Sequence, residues 1–201
     1  ELRRIPGVHI DVVNRRFVGL DEFFAHNAEL EARHEYTVAW IDCLAARPRG
    51  IFMAGDHSSG RGFPARDKKP LSVPLTPAIS LINGLSLRLF NQAYFNRPLA
   101  ESGVVHYEPF FYPLDGVLHW NRAYGKAGFF QYQFVLPMQA RGALDDVLRV
   151  IAASGQGSFL AVLKTFGDKP SPGMLSFPMP GVTLALDFPN RGAQTLALFE
   201  Q

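Results

Sequence analysis

The chain has one cysteine, Cys43, in 201 residues. A disulfide within the chain is therefore impossible, and no cysteine-based metal site can be built. The net charge is only +2, with 20 basic and 18 acidic residues. A balance so near neutral gives no electrostatic footing for nucleic acid, and nucleic acid is excluded as a partner. No apolar run approaches the length of a membrane span, and the start is not a signal peptide. There is no GxGxxG before a helix, no P-loop and no GxSxG. The six histidines show no HExxH spacing, so no metal site is expected.

What is present is an ordinary globular mix, 47% hydrophobic and 19% charged, which rules out broad disorder. Cys43 lies in the strand-like run YTVAWIDC, where a small buried hydrophobe is the default role. The basic group Arg61, Arg66, Lys68 and Lys69 reads as a solvated loop. Both ends of the sequence look cut from something longer: Glu1 is not a start residue, and RGAQTLALFEQ reads as the opening turns of a helix.

Hydrophobic periodicity orders the chain. Strands are expected at 7–13, 36–44, 50–57, 103–108, 128–136, 158–166 and 181–188. Helices are expected at 20–34, 78–96, 139–154 and from Asn190, which suits an N-cap; a short one is expected at 117–124. The 78–96 helix is apolar almost all round and should be buried. Gly155 should stop the 139–154 helix. The long Gly/Pro-rich loop from Ser58 to Pro77 reads as functional or mobile. The order is βαββαβ followed by βαββα. The economical architecture is α+β: two ferredoxin-like split βαβ units in one mainly antiparallel sheet of about seven strands, with helices on one face.

Strand alternation then sorts side chains by face. In FFQYQFVLP, Gln131 and Gln133 share a face, while Phe130, Tyr132, Phe134 and Leu136 share the other. Lys164 and Phe166 share a face with Val162, and Thr183, Ala185 and Asp187 oppose the apolar set of their strand. The resulting polar, small and aromatic face suits either a small polyhydroxylated ligand, since Gln both donates and accepts, or plain solvent. Asp42 and Asp187, at strand ends, could pair as general acid and base; capping or turn roles compete with that.

Several segments are more specific than this. YTVAWID, SLRLFNQAYFNR, FFYPLDGVLHWNRAYGKAGFFQYQFVLP, SFLAVLKTFG and SFPMPGVTLALDFP together resemble the flavin-dependent oxidases of the vanillyl-alcohol oxidase superfamily, with the nearest likeness to its decaprenylphosphoryl-ribose 2-oxidase group. The resemblance implies that residues 1–201 are the substrate-binding or cap domain of a longer flavoprotein, inactive as a fragment. It implies FAD as cofactor, bound mainly by a domain absent from this chain. It implies oxidation of an alcohol or sugar hydroxyl by hydride transfer to the flavin. It places Gln131, Gln133, Lys164 and Phe166 in the substrate pocket, Trp40 in its wall, and Tyr112, Asn121 and Arg122 lining or supporting it. Thr183 and Ala185 stand where ribose oxidases carry Asn and where some carry Cys, so the pocket is chemically altered. No residue of the fragment is assigned as catalytic. The implied partners are the FAD-binding domain of the same polypeptide, a small polyhydroxylated substrate and a reductase of the same pathway. The implied place is the cytoplasm, or a membrane-associated or periplasmic one where the substrate is lipid-linked. The rival readings are a stand-alone sugar- or protein-binding module using the same sheet face, and a purely structural cap.

Overall fold

The structure is a computed structural model that describes residues 4–59, 71–176 and 178–201. The basic group Arg61, Arg66, Lys68 and Lys69 lies outside the described residues.

The elements follow the chain as β1 (His9–Val18), α1 (Leu20–Leu30), β2 (Tyr36–Ile41), β3 (Arg49–His57), β4 (Leu71–Ser72), α2 (Gly84–Asn96), β5 (Ser102–His106), α3 (Tyr107–Phe111), β6 (Val117–Leu118), β7 (Phe129–Pro137), α4 (Ala143–Ser154), β8 (Val162–Phe166), β9 (Gly181–Pro189) and α5 (Ala193–Phe199). A 3-10 turn covers Trp120–Tyr124. Seven strands form one sheet in the order β5-β1-β3-β2-β8-β9-β7, with every neighbouring pair antiparallel. Strands β4 and β6 pair separately and in parallel.

This is the α+β architecture that the element order implies. The first half runs β5-β1-β3-β2, the strand order of a split βαβ unit. The second half runs β7-β9-β8, the same order without a fourth strand. The halves join where β2 meets β8 through Ala39↔Leu163 and Trp40↔Val162.

One face of the sheet carries the main core. Phe52, Ala39, Leu163, Leu184 and Phe188 project to that side and are almost fully buried. Leu20, Phe23 and Leu30 of α1 and Leu144, Leu148 and Ile151 of α4 close onto them. Phe199 of α5 stacks on Tyr132 at 4.7 Å. Helix α4 ends as its sequence demands, at Gly155 with φ 64°, a left-handed position that suits a residue without Cβ.

The expectation that helices share one face holds for α1, α4 and α5. It fails for α3, whose Phe110 packs with Ile10 and Val12 on the opposite face. That face is apolar at β1 and needs a cover, which the 107–111 turn supplies. Helix α2 crosses the strand ends instead of joining either layer. Asn91 donates to Asp42 Oδ1 at 2.7 Å, and Arg49 bridges Asp42 and Gln92. Nor is α2 the buried helix its composition suggests. Only Leu87 and Asn91 are buried, while Leu85 and Leu89 are 70% and 65% exposed. It also begins later than the apolar run, because Asn83 forms a capping box with Ser86. Helix α5 likewise starts after Gly192 rather than at Asn190, whose Oδ1 accepts from the Gly192 N–H.

Candidate functional site

The face opposite α1, α4 and α5 is where the polar residues gather. Register alone sets them side by side. Gln131 lies opposite Asp187, and Gln133 opposite Ala185. Ala185 lies opposite Val162, which lies opposite Trp40, so one row crosses four strands: Gln133, Ala185, Val162, Trp40. The adjoining row holds Val135, Thr183 and Lys164. Phe166 stands beyond it, opposite Gly181.

The members differ in availability. Gln131, Gln133 and Lys164 are exposed. No described residue forms a hydrogen bond or ion pair with the Lys164 ammonium. Thr183 is 2% exposed and doubly engaged: its hydroxyl donates to the Phe134 carbonyl at 2.8 Å and accepts from Gln133 Nε2 at 3.2 Å. Thr183 therefore supports Gln133 from below and offers no free hydroxyl. The Gln133 side-chain oxygen has no hydrogen-bond partner among the described residues. Trp40 is buried too, with its indole N–H held by the Phe159 carbonyl at 2.9 Å and its ring against Tyr94 at 4.6 Å.

The structure does not bring Tyr112, Asn121 and Arg122 into these rows. Tyr112 is 54% exposed at the end of α3, edge-on to Tyr107. Arg122 donates to the carbonyls of Val73 and Pro74 at 3.1 and 3.0 Å, pinning the segment beside β4. Asn121 is exposed in the same 3-10 turn.

Asp187 is the one acid in the rows. It is buried, and its Oδ1 has no hydrogen-bond partner among the described residues. Burial holds its carboxyl above the usual carboxylate range, with the neighbouring Gln131 amide drawing it part of the way back. Asp42 takes no part: it is fixed by Arg49, Asn91 and the Leu44 N–H. The acid–base pair conceivable from sequence is thus divided, with Asp42 structural and Asp187 facing the amides. Among the described residues no group of acids, histidines and cysteine could hold a metal.

Beside the rows, over the β1-β3-β2 half, lies a groove of about 650 Å³. Its lining includes Trp40, Val162 and Lys164, so it is continuous with the amide face. It also includes Tyr94, Arg97, Met53, Phe110 and Phe111, which sequence reasoning missed. Alternation could have placed Met53 and Val38 together; nothing local in the sequence says that α2 and α3 would wall them in.

Over 185 residues, or 85% of its length, the chain is 36% identical to decaprenylphosphoryl-beta-D-ribose oxidase of Mycolicibacterium smegmatis. This chain is related to that oxidase. The likeness bears out the resemblance carried by the YPLD…WNRAYG…QYQFV string. A protein of Streptomyces coelicolor, described as an uncharacterized protein in the mprA 5'region, is 28% identical over 207 residues, covering 92% of the chain. The chain spans 40% of the length of the oxidase relative and 55% of the Streptomyces one. Among solved structures, a variant of berberine bridge enzyme, described as a reticuline dehydrogenase, aligns over 96% of the chain and 38% of its own, with a TM-score of 0.46 and 12% identity. No protein-family model matches. Among the described residues no helix is long and apolar enough to cross a membrane.

Proposed function

We propose that this chain is the substrate-binding part of an FAD-dependent oxidoreductase that oxidises an alcohol or sugar hydroxyl. The observation that carries the reading is the pair of exposed amides on β7, Gln131 and Gln133, on the same sheet face as a Lys164 unpaired among the described residues, a face that α1, α4 and α5 leave open. A merely solvated sheet face would carry several paired charges. This one carries two amides, one ammonium and a buried acid, a set that donates to and accepts from hydroxyl groups.

The open face fits the flat ring system of a flavin as a cover. Asp187 Oδ1 is a buried polar atom with no partner among the described residues, and a ring N–H could supply one. Bound FAD would supply the hydride acceptor for the reaction. The chain's own residues bind, orient and desolvate the substrate. Gln133, steadied by Thr183, holds one hydroxyl. Lys164 stabilises negative charge developing on the reacting oxygen. Phe166 and Ala185 set the shape of the floor. The FAD-binding domain of the same polypeptide closes the site, and the exposed leucines of α2, with Ile79 at 82% exposure, offer apolar surface for such a neighbour. A reductase partner would return the electrons to the pathway. The substrate is a small polyhydroxylated molecule. The Mycolicibacterium relative's name points to a ribose joined to a lipid phosphate, and that class is the first to test.

The test is Gln133→Ala in the full-length protein, screened against alcohols and sugars by bleaching of the flavin band. Turnover should fall about tenfold, the worth of one hydrogen bond made in the transition state, while flavin content stays unchanged. Unchanged turnover removes Gln133 from the site.

A further inference from the structure

The two glutamines of β7 look alike in sequence but rest on different supports. Gln133 rests on a hydroxyl. Thr183 Oγ1 donates its proton to the Phe134 carbonyl at 2.8 Å, so toward Gln133 it can only accept, which it does from Nε2 at 3.2 Å. That contact holds the Gln133 amide one way round at any pH, with the nitrogen on Thr183 and the oxygen free.

Gln131 rests on a carboxyl. It stands directly opposite Asp187 in the β7-β9 ladder, where facing Cβ atoms lie about 4.5–5.5 Å apart. Asp187 is buried, and its Oδ1 has no hydrogen-bond partner among the described residues. Burial holds the carboxyl above its ordinary range and the Gln131 amide opposes that; no charged side chain among the described residues joins them. Lys164 lies two rows away, opposite Thr183. The titratable group packed nearby is Tyr124 of the 3-10 turn, with Cys43 beyond it. Burial keeps that phenol and that thiol neutral where a carboxyl titrates.

A carboxyl differs from a hydroxyl in one respect: it gains and loses its donor. Ionised, Asp187 only accepts. It takes an N–H of Gln131 and leaves the side-chain oxygen free. Protonated, it carries a buried O–H that needs an acceptor, and the Gln131 oxygen is the amide acceptor facing it. The amide must then turn its oxygen inward and its nitrogen toward the open face.

We infer that Asp187 is a positioning residue whose protonation reverses the Gln131 amide, so that the open face presents two acceptors in one state and an acceptor beside a donor in the other. One proton is exchanged with water, and no other bond forms or breaks covalently. The consequence deepens the proposed function above and rests on it. An alcohol can donate to an amide oxygen, whereas the ketone it becomes can only accept. The ionised state therefore favours the alcohol, and the protonated state favours its oxidised product. The reversal itself stands on register, burial and the chemistry of the carboxyl.

The experiment is nuclear magnetic resonance of the full-length protein labelled with nitrogen-15 in its glutamine side chains, followed from pH 4 to pH 8. The Gln131 amide signal, identified by its loss in Gln131→Ala, should follow a single titration with its midpoint above the ordinary carboxylate value of about 4. The Gln133 signal should stay still. Asp187→Asn should hold the Gln131 signal flat across the range, while Tyr124→Phe should leave its titration in place. Near-UV circular dichroism verifies that the variants are folded, and the parent titration needs no variant. A flat Gln131 signal in the parent, or an unchanged titration in Asp187→Asn, overturns the inference. So does a titration that vanishes in Tyr124→Phe, which would assign the carboxyl proton to the phenol oxygen. Gln133→Ala separates the two readings. Normal turnover in that variant sinks the alcohol-oxidising site, while the reversal is judged on the Gln131 titration alone.

Discussion

Gln133 and Thr183 form a stacked pair across β7 and β9, the amide resting on a buried hydroxyl that is itself tied to the Phe134 carbonyl. The pair turns an otherwise floppy side chain into an oriented one. Thr183→Val keeps the shape and removes the hydroxyl. It should cost about 1 kcal/mol of stability, because Phe134 loses its donor and Gln133 its rest. In the full-length protein it should also raise KM or lower kcat several-fold without touching flavin content. Turnover unchanged from the parent would mean that Gln133 needs no anchor.

Gly50 and Gly181 permit close strand approach. A Cβ at Gly50 would sit 2.2 Å from the Trp40 carbonyl oxygen and 2.4 Å from the Phe17 ring; at Gly181 it would sit 2.2 Å from the Leu136 carbonyl oxygen. Backbone cannot yield to that contact, so Gly50→Ala and Gly181→Ala should each destabilise by about 1–3 kcal/mol or more. Thermal unfolding measures it. Gly142→Ala, with nothing within 4 Å, is the control and should be nearly neutral.

Asp187 makes stability depend on pH in a stated direction. Its carboxyl is held above its unfolded-chain value, mainly by burial. The fold therefore favours the protonated form. That contribution is complete below the unfolded pKa and is lost as pH rises through the folded one. Asp187→Asn should remove this decline, leaving the variant relatively more stable at pH 7 to 8 than at pH 4. A series of melting temperatures across that range, identical in slope for parent and variant, would refute the assignment.

Much of this was legible beforehand, for a physical reason. Alternation in a strand is rigid, so the face shared by Gln131 and Gln133 follows from the two-residue period once Phe130, Tyr132 and Phe134 claim the core. The split βαβ order likewise follows from element sequence. Helix α2 was misjudged because composition reports how apolar a segment is, not whether a neighbour is there to cover it. Tyr112, Asn121 and Arg122 stand in recognisable motifs, yet motif membership carries no direction for a side chain: Arg122 turns to Val73 and Pro74. Arg97 and the aromatic walls of the groove were illegible, since they meet the sheet only through long-range packing.

Cys43 should be chemically inert. Burial pushes its thiol up to about 12, and its Sγ donates to the Ser158 carbonyl at 3.6 Å. A thiol reagent at pH 8 should leave the native protein unmodified and react after denaturation. Rapid native modification would mean that the 158–161 segment opens readily.

Arg49 and Asp42 form the ion pair that ties α2 to the strand ends, with Asp42 only 4% exposed. Arg49→Met leaves a buried carboxylate with neutral donors only, Asn91 and the Leu44 N–H, and should cost about 3 kcal/mol. Because Tyr94 and Arg97 ride on that helix, the same change should loosen the groove more than the amide rows. Thermal unfolding measures the loss.

The ladders of β1 with β3 and of β7 with β9 run for nine residue pairs each, whereas the seam between β2 and β8 has two. A join that short is the natural line along which the molecule would breathe. Backbone amides near Ala39 and Val162 should trade their hydrogens with solvent sooner than those of the flanking ladders. Since Gln133 stands on one side and Trp40 on the other, each such excursion would change the width of the row they share.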